Sequence, residues 1–203
     1  MLILHMRKSL ASLLVALFLS VAGTSAFAQG IWTIDGSHSD VSFNVSHLVV
    51  SEVTGKFKKF DGELKAKNDD FTDAEIAFTI DAASINTEDE KRDGHLRSAD
   101  FFDVAKYPTI TFKSKSFKKV DGSKYKLVGD LTMHGVTKTV ELDVVFKGTA
   151  KSPWGQTVGA FKLSGAVDRK DFGLTWNKTL DNGGLLVGEI VNISANIEII
   201  KKS

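Results

Sequence analysis

From Val41 to Ile199 this chain repeatedly alternates apolar and polar residues with a period of two, and that alternation limits its folds more than any other feature. Val41, Phe43 and Val45 are interleaved with Ser42, Asn44 and Ser46, and Ile76, Phe78 and Ile80 with Glu75, Thr79 and Asp81. Ile110 and Phe112 lie among Thr109, Thr111 and Lys113, while Tyr125, Leu127, Leu131 and Met133 lie among Lys126, Asp130 and Thr132. Val140, Leu142, Val144 and Phe146 alternate with Thr139, Glu141, Asp143 and Lys147, and Val191, Ile193, Ala195, Ile197 and Ile199 with Asn192, Ser194, Asn196 and Glu198. Successive side chains of a strand point to opposite faces, so each run has one apolar and one wet face. That is the pattern of an antiparallel sheet solvated on one side.

Turn chemistry separates the runs. Asp121-Gly122 is placed as a short hairpin turn, and His134-Gly135-Val136-Thr137 links the next two strands. Ser152-Pro153-Trp154-Gly155 and Asp181-Asn182-Gly183-Gly184 read as loops. Between Gly55 and Ala66 the phase slips, with Phe57 on one register and Phe60, Gly62, Leu64 and Ala66 on the other, so a bulge is expected near Lys58-Lys59. The charged stretch from Thr87 to Asp103 does not alternate. Thr87 and Glu90 resemble a capping box, which predicts a short helix around 88–98. About eight strands with one apolar face each must cover that face, either as a sandwich or as a sheet closed on itself, and periodicity does not choose between them. A membrane barrel would carry aromatic girdles on an outward apolar face, whereas here the aromatics are mostly Phe on the apolar registers and the chain ends in Lys201-Lys202-Ser203.

The first residues set the expected compartment. A basic start (His5, Arg7, Lys8) precedes an uncharged apolar run, Leu10 to Ala22, and then Ala26-Phe27-Ala28. This is the layout of a secretory signal peptide over 1–28 cleaved after Ala28, which predicts a periplasmic domain over 29–203 with no membrane span after cleavage. The run of 13 residues is short for a spanning helix, which needs roughly 20. Without Arg7 and Lys8, the 26 basic residues become 24 against 25 acidic ones. A net charge near −1 gives no electrostatic case for nucleic acid, although Lys56, Lys58 and Lys59 form a small basic cluster. The chain has no Cys, which excludes disulfides, thiolate metal sites and Cys nucleophiles.

Several motifs, in order, are similar to those of the YceI-like family of polyisoprenoid-binding, lipocalin-like periplasmic proteins. They are Trp32-Thr33-Ile34-Asp35 with His38-Ser39, then Phe43-x-Val45-x-His47, then Gly55-Lys56-Phe57 and Phe60-Asp61-Gly62. The most specific run is Ser84-Ile85-Asn86-Thr87, Arg92-Asp93-x-His95-Leu96-Arg97-Ser98-x-Asp100-Phe101-Phe102-Asp103 and Tyr107-Pro108-x-Ile110-x-Phe112. Gly129 to Lys138, Arg169-x-Asp171-Phe172-Gly173 and Gly188-Glu189-x-Val191 complete the set. The resemblance implies an all-β, eight-stranded antiparallel lipocalin-like barrel with a short helical segment. It further implies an interior that takes a long-chain isoprenoid or similar fatty lipid, and frequently a homodimer.

A chain-like lipid needs apolar walls and a few polar groups at the mouth. Candidate wall residues are Phe43, Val45, Phe57, Phe78, Phe112, Leu131, Leu142, Val144 and Phe146, which would otherwise fill a solid core. Candidates for a phosphate or quinone-like head group are His38, Arg97 and Arg169, with ion pairs to Asp93, Asp100, Asp103 or Asp171 as the structural alternative. His38, His47, His95 and His134 lack the H-x-x-x-H spacing of a helical metal site, so no metal and no cofactor is expected beyond a bound lipid. A hydrolase would use His95 as base, oriented by Asp93 or Asp100, and Ser98 as nucleophile, but the stretch has no nucleophile elbow. No catalytic residue is assigned. The remaining alternative is a non-catalytic interaction or stress protein with a solid core.

Overall fold

The alternating runs become strands that close on themselves. The computed structural model describes residues 30–181 and 183–202; the leader read over 1–28 lies outside the described residues, as does Asn182 of the last loop. Among the described residues there are eleven strands: β1 (Gly30–Ile34), β2 (Asp40–His47), β3 (Ser51–Phe57), β4 (Phe60–Ala66), β5 (Glu75–Asp81), β6 (Ile85–Asn86), β7 (Thr109–Asp121), β8 (Lys124–Met133), β9 (Val136–Lys151), β10 (Thr157–Asp168) and β11 (Val187–Lys201). All pairings are antiparallel. β1 and β2 both pair with β11, the first at Ile199 to Lys201 and the second at Val187 to Asn196, so they run end to end as one stave. β3 and β4 continue each other in the same way against β2 and β1, and β5 and β6 against β4 and β3. The sheet is therefore a closed eight-stave barrel with β11 sealed to β10 on one side and to β1 and β2 on the other. Closure turns the apolar faces of the staves inward and pairs the strand edges around most of the wall.

The phase slip at Lys58-Lys59 is the break between β3 and β4, where a bulge was expected. The freed backbone groups are taken up by the neighbouring stave: Lys58 N donates to Ser84 O at 3.1 Å and Asp81 N donates to Lys59 O at 3.0 Å. Room for large side chains inside the wall comes from glycine on the facing strand. Phe43 is paired with Gly55 and Phe78 with Gly62. A Cβ at Gly55 would sit 2.3 Å from the Phe43 ring and one at Gly62 2.9 Å from the Phe78 ring, so both rings lie over bare backbone.

β6 pairs with β3 alone, while β7 pairs with β5 and β8, so the wall opens beyond Asp81. The helix α1 (Glu90–Arg97) and the segment after it occupy that side. The helix starts two residues later than the capping box implied. Asp89 is the N-cap and accepts from Arg92 N at 3.0 Å, because Glu88 turns the chain in the left-handed region (φ 63°). Thr87 instead donates from N and Oγ1 to the buried Asp93 carboxylate at 2.8 and 2.6 Å, pinning the helix to the wall. The His134-Gly135 link is a two-residue turn with both residues at positive φ, as a tight hairpin requires.

The two ends of the barrel differ. At the end carrying the β4–β5 and β7–β8 connections, Phe71 folds in from the loop and is 1 % exposed. Its ring lies 5.2 Å from those of Trp32 and Phe146 and 5.3 Å from that of Phe161. Asp73 N donates to Phe117 O at 2.8 Å and Tyr125 Oη donates to Asp70 O at 2.6 Å, fixing the loop across the opening. This end is plugged. The opposite end carries α1, the β2–β3 and β8–β9 turns, and the loop between β10 and β11.

Candidate functional site: an apolar chamber in the barrel

Above the aromatic plug the inward faces do not meet. They enclose a chamber of about 250 Å³. Phe43 and Val45 of β2, Phe57 of β3, Phe78 of β5, Phe112 of β7, Leu131 of β8, and Leu142 and Val144 of β9 line it. These are eight of the nine wall candidates. The ninth, Phe146, is not on the lining; it packs in the plug, edge-on to Phe71 at 5.2 Å and tilted against Phe161 at 5.0 Å. At the helix end the lining is completed by Leu96, Phe101, Phe102, Leu174 and Val187. Only Ser42, Glu63 and Arg169 are polar among the lining residues, and two of these have partners elsewhere. Ser42 Oγ donates to Ser194 O at 3.0 Å, and Glu63 accepts from Lys65 and Lys202 at 3.3 and 3.4 Å.

The three head-group candidates are not brought together. Arg169 alone borders the chamber. It is 4 % exposed and its fork donates to backbone carbonyls: Nε to Gly188 O at 2.8 Å, Nη2 to Val187 O at 3.3 Å, and Nη1 to Leu174 O. No carboxylate partner was needed, because three carbonyl dipoles at one loop neck meet the planar cation. Burial pushes the guanidinium below its ordinary value, while the nearby charges of Glu189 and Asp168 oppose that shift. Arg97 leaves the chamber and donates to Ala83 O at 2.8 Å and Ile85 O at 2.7 Å, holding α1 against β6. It borders a small polar depression with Lys58 and Lys59.

His38 lies on the outer surface at the junction of β1 and β2. Its Nδ1 is 2.9 Å from Asp35 and 3.9 Å from Glu198. Among the described residues this is the one grouping whose ligand atoms could hold a metal, all within 4.8 Å of one another. Ser37, whose Oγ and N donate to Asp35 at 2.6 and 2.9 Å, and then His38, hold the Asp35 carboxyl down to about 2. Asp35 in turn raises His38. The same junction carries Asp35 N to Glu198 O at 2.9 Å and Glu198 N to Ser39 Oγ at 2.9 Å, so these charges sit on the closing seam. A depressed carboxylate stabilises the fold above its ordinary 3.8 and loses that contribution as pH falls toward 2. A raised histidine stabilises below its ordinary 6.5 and loses the contribution as pH rises through its shifted value. Thermal melts across pH should therefore show a seam contribution that is greatest between those limits and declines on both sides. Asp35→Asn is expected to flatten both arms; an unchanged profile in that variant contradicts the assignment.

The hydrolase arrangement read from the sequence is not assembled. His95 Nε2 meets Asp100 at 2.8 Å, but Ser98 Oγ donates to the His95 backbone carbonyl at 2.7 Å and not to its ring. The His95 ring instead stands edge-on to Phe101 and Trp176, at 5.0 and 4.8 Å, and joins α1 to the loop after β10. Two features escaped the sequence reading. Phe71 was signalled only as a lone aromatic in the polar stretch 67–75, and Glu198 is a wet-face residue distant in sequence from His38.

The chain is 39% identical over 168 residues to the UPF0312 protein SAS2572 of Staphylococcus aureus, a match covering 82% of this chain and 95% of that protein. The crystal structure of the Campylobacter jejuni YCEI protein superposes with a TM-score of 0.67 at 34% identity, covering 78% of this chain and 90% of that one. A polyisoprenoid binding domain from Saccharophagus degradans, implicated in plant cell wall breakdown, superposes with a TM-score of 0.62 over 84% of this chain and 98% of its own, and at 16% identity that likeness shows the fold. The sequence profile of the YceI-like domain matches residues 32–199, from Trp32 of β1 to Ile199 of β11, and the chain belongs to the YceI-like domain family.

Proposed function

We propose that this protein is a non-catalytic carrier that holds a long-chain isoprenoid or similar apolar lipid in its barrel, and that it works in the periplasm. The observation that carries the reading is the chamber, closed at one end by Phe71 and lined by apolar side chains with one buried cation at its neck. An empty cavity costs roughly 24 cal/mol per Å³, so about 250 Å³ left vacant would cost about 6 kcal/mol. That approaches the roughly 5–15 kcal/mol of net stability of an ordinary domain. An apolar occupant offsets this cost, and each buried methylene contributes about 0.8 kcal/mol. The same magnitude counts against the solid-core interaction protein.

The chamber is smaller than the roughly 300–1,000 Å³ of pockets for drug-sized ligands. A long tail therefore extends past Leu96, Phe101 and Phe102, because the other end is plugged. The binding activity of the Saccharophagus degradans domain supports the ligand class, and the secretory pattern of residues 1–28 supports the compartment. Among the described residues no helix is long and apolar enough to cross a membrane.

Filling the chamber tests the reading. Ala195 and Val191 both line it and face inward on β11. Ala195→Phe and Val191→Phe are expected to weaken binding of geranylgeraniol in a calorimetric titration by at least about tenfold, since a ring displaces several methylenes. Their unfolding midpoints should stay near that of the parent. Unweakened binding in both folded variants would falsify the chamber as the site.

A further inference from the structure

We propose that the tip of the β2–β3 hairpin, Leu48-Val49-Val50, is a finger that enters the surface of a lipid bilayer and brings the open end of the barrel to the membrane; this rests on the carrier reading above. Three consecutive apolar residues sit at the tip, 37 %, 67 % and 86 % exposed. Leu48 and Val49 hold φ of 55° and 68°, a conformation that a β-branched residue adopts only at a cost. The turn therefore keeps these side chains outward against both solvation and backbone preference.

Position relates the finger to the chamber. His47 pairs with Val187, a lining residue at the neck, and Leu48 N donates to Leu186 O at 2.9 Å. The tip thus projects directly beyond the unplugged end. Leu186 N donates in turn to Lys178 O at 2.9 Å, so the tip is tied through Leu186, just before β11, to the loop between β10 and β11. An exposed apolar tip at the open end of an apolar chamber suits shallow insertion among the headgroups of a bilayer. A three-residue tip is far below the roughly 800 Å² per partner of a stable protein interface, whereas shallow insertion into lipid needs no larger patch.

The test is flotation of protein spanning 29–203, which carries the whole barrel, with vesicles of phosphatidylethanolamine and phosphatidylglycerol in equal parts. The unaltered protein is expected to float. A Val49→Asp, Val50→Asp double variant is expected to lose at least about tenfold of its vesicle-bound fraction, because it would place two carboxylates in the headgroup layer. Geranylgeraniol titration without vesicles should be equal in both proteins. Failure to float, or equal flotation of the variant, overturns the finger. Sedimentation showing a dimer that the double variant abolishes also overturns it, by assigning the tip to a second copy. Loss of geranylgeraniol binding in the unaltered protein instead defeats the carrier reading.

Discussion

Arg169→Ala is expected to lose about 3–5 kcal/mol of unfolding free energy, lowering the midpoint of thermal unfolding by roughly 10 °C. The guanidinium is 4 % exposed and donates to the carbonyls of Leu174, Val187 and Gly188. Removing it takes the side-chain donor from Leu174 O and Gly188 O beside an apolar chamber, while Val187 O keeps Asn177 Nδ2, and each unpaired buried group costs about 1–3 kcal/mol, part of which water entering the gap recovers. Arg169→Lys should restore only a minor part, because one ammonium cannot reach three carbonyls around a neck. The same substitution should loosen the loop between β10 and β11, whose base is otherwise held by Asn177, with Nδ2 donating to Val187 O at 2.7 Å. Amide exchange over that loop should rise in the alanine variant. A loss below about 1 kcal/mol with unchanged exchange would show that the loop is held by other contacts.

Phe71→Ala is expected to cost a comparable amount, about 3–5 kcal/mol, for a different reason. Its ring is 1 % exposed and touches Trp32, Phe146 and Phe161 edge-on. Truncation creates a void that three rings on separate staves cannot fill by collapse. The plugged end then opens to solvent, so exchange of an apolar ligand should accelerate even when measured well below the melting range. Chemical denaturation measures the first effect, and release of bound geranylgeraniol measures the second. A small stability loss together with unchanged release would place the closure of that end elsewhere.

Much of the fold could be read directly from the alternation. The β7 to β11 meander follows the apolar registers from Ile110 to Ile199, and the turns at Asp121-Gly122 and His134-Gly135 fall where glycine and positive φ allow them. Closure could not be read in the same way. It depends on β11 pairing with β1 and β2, at the far end of the chain, and a period of two is silent on partners. The family resemblance supplied the closed barrel that periodicity left open.

The site was legible in type and illegible in height. A period of two tells which face a residue occupies, so Phe43, Phe78 and Leu142 were placed inward. It does not tell how far along the barrel a residue sits, which is why Phe146 joins the plug although it shares its register with Val144. Arg169 was read as a head-group or ion-pair residue because charge in a sequence invites a counter-charge. Its carbonyl partners come from the loop that follows it, and backbone acceptors leave no compositional mark. The capping box at Thr87 failed for a related reason: Asp93, six residues on, recruited Thr87 into a buried hydrogen bond and left Asp89 to cap the helix.

The central claim, that the barrel interior holds an apolar chain, is tested most directly by native mass spectrometry of protein spanning 29–203 purified without detergent, followed by analysis of what it releases. A one-to-one adduct is expected, with a released mass that of an isoprenoid or similar long-chain lipid, together with uptake of added polyprenyl lipid by any empty fraction. Protein that is repeatedly empty and takes up none of the added lipid would contradict it.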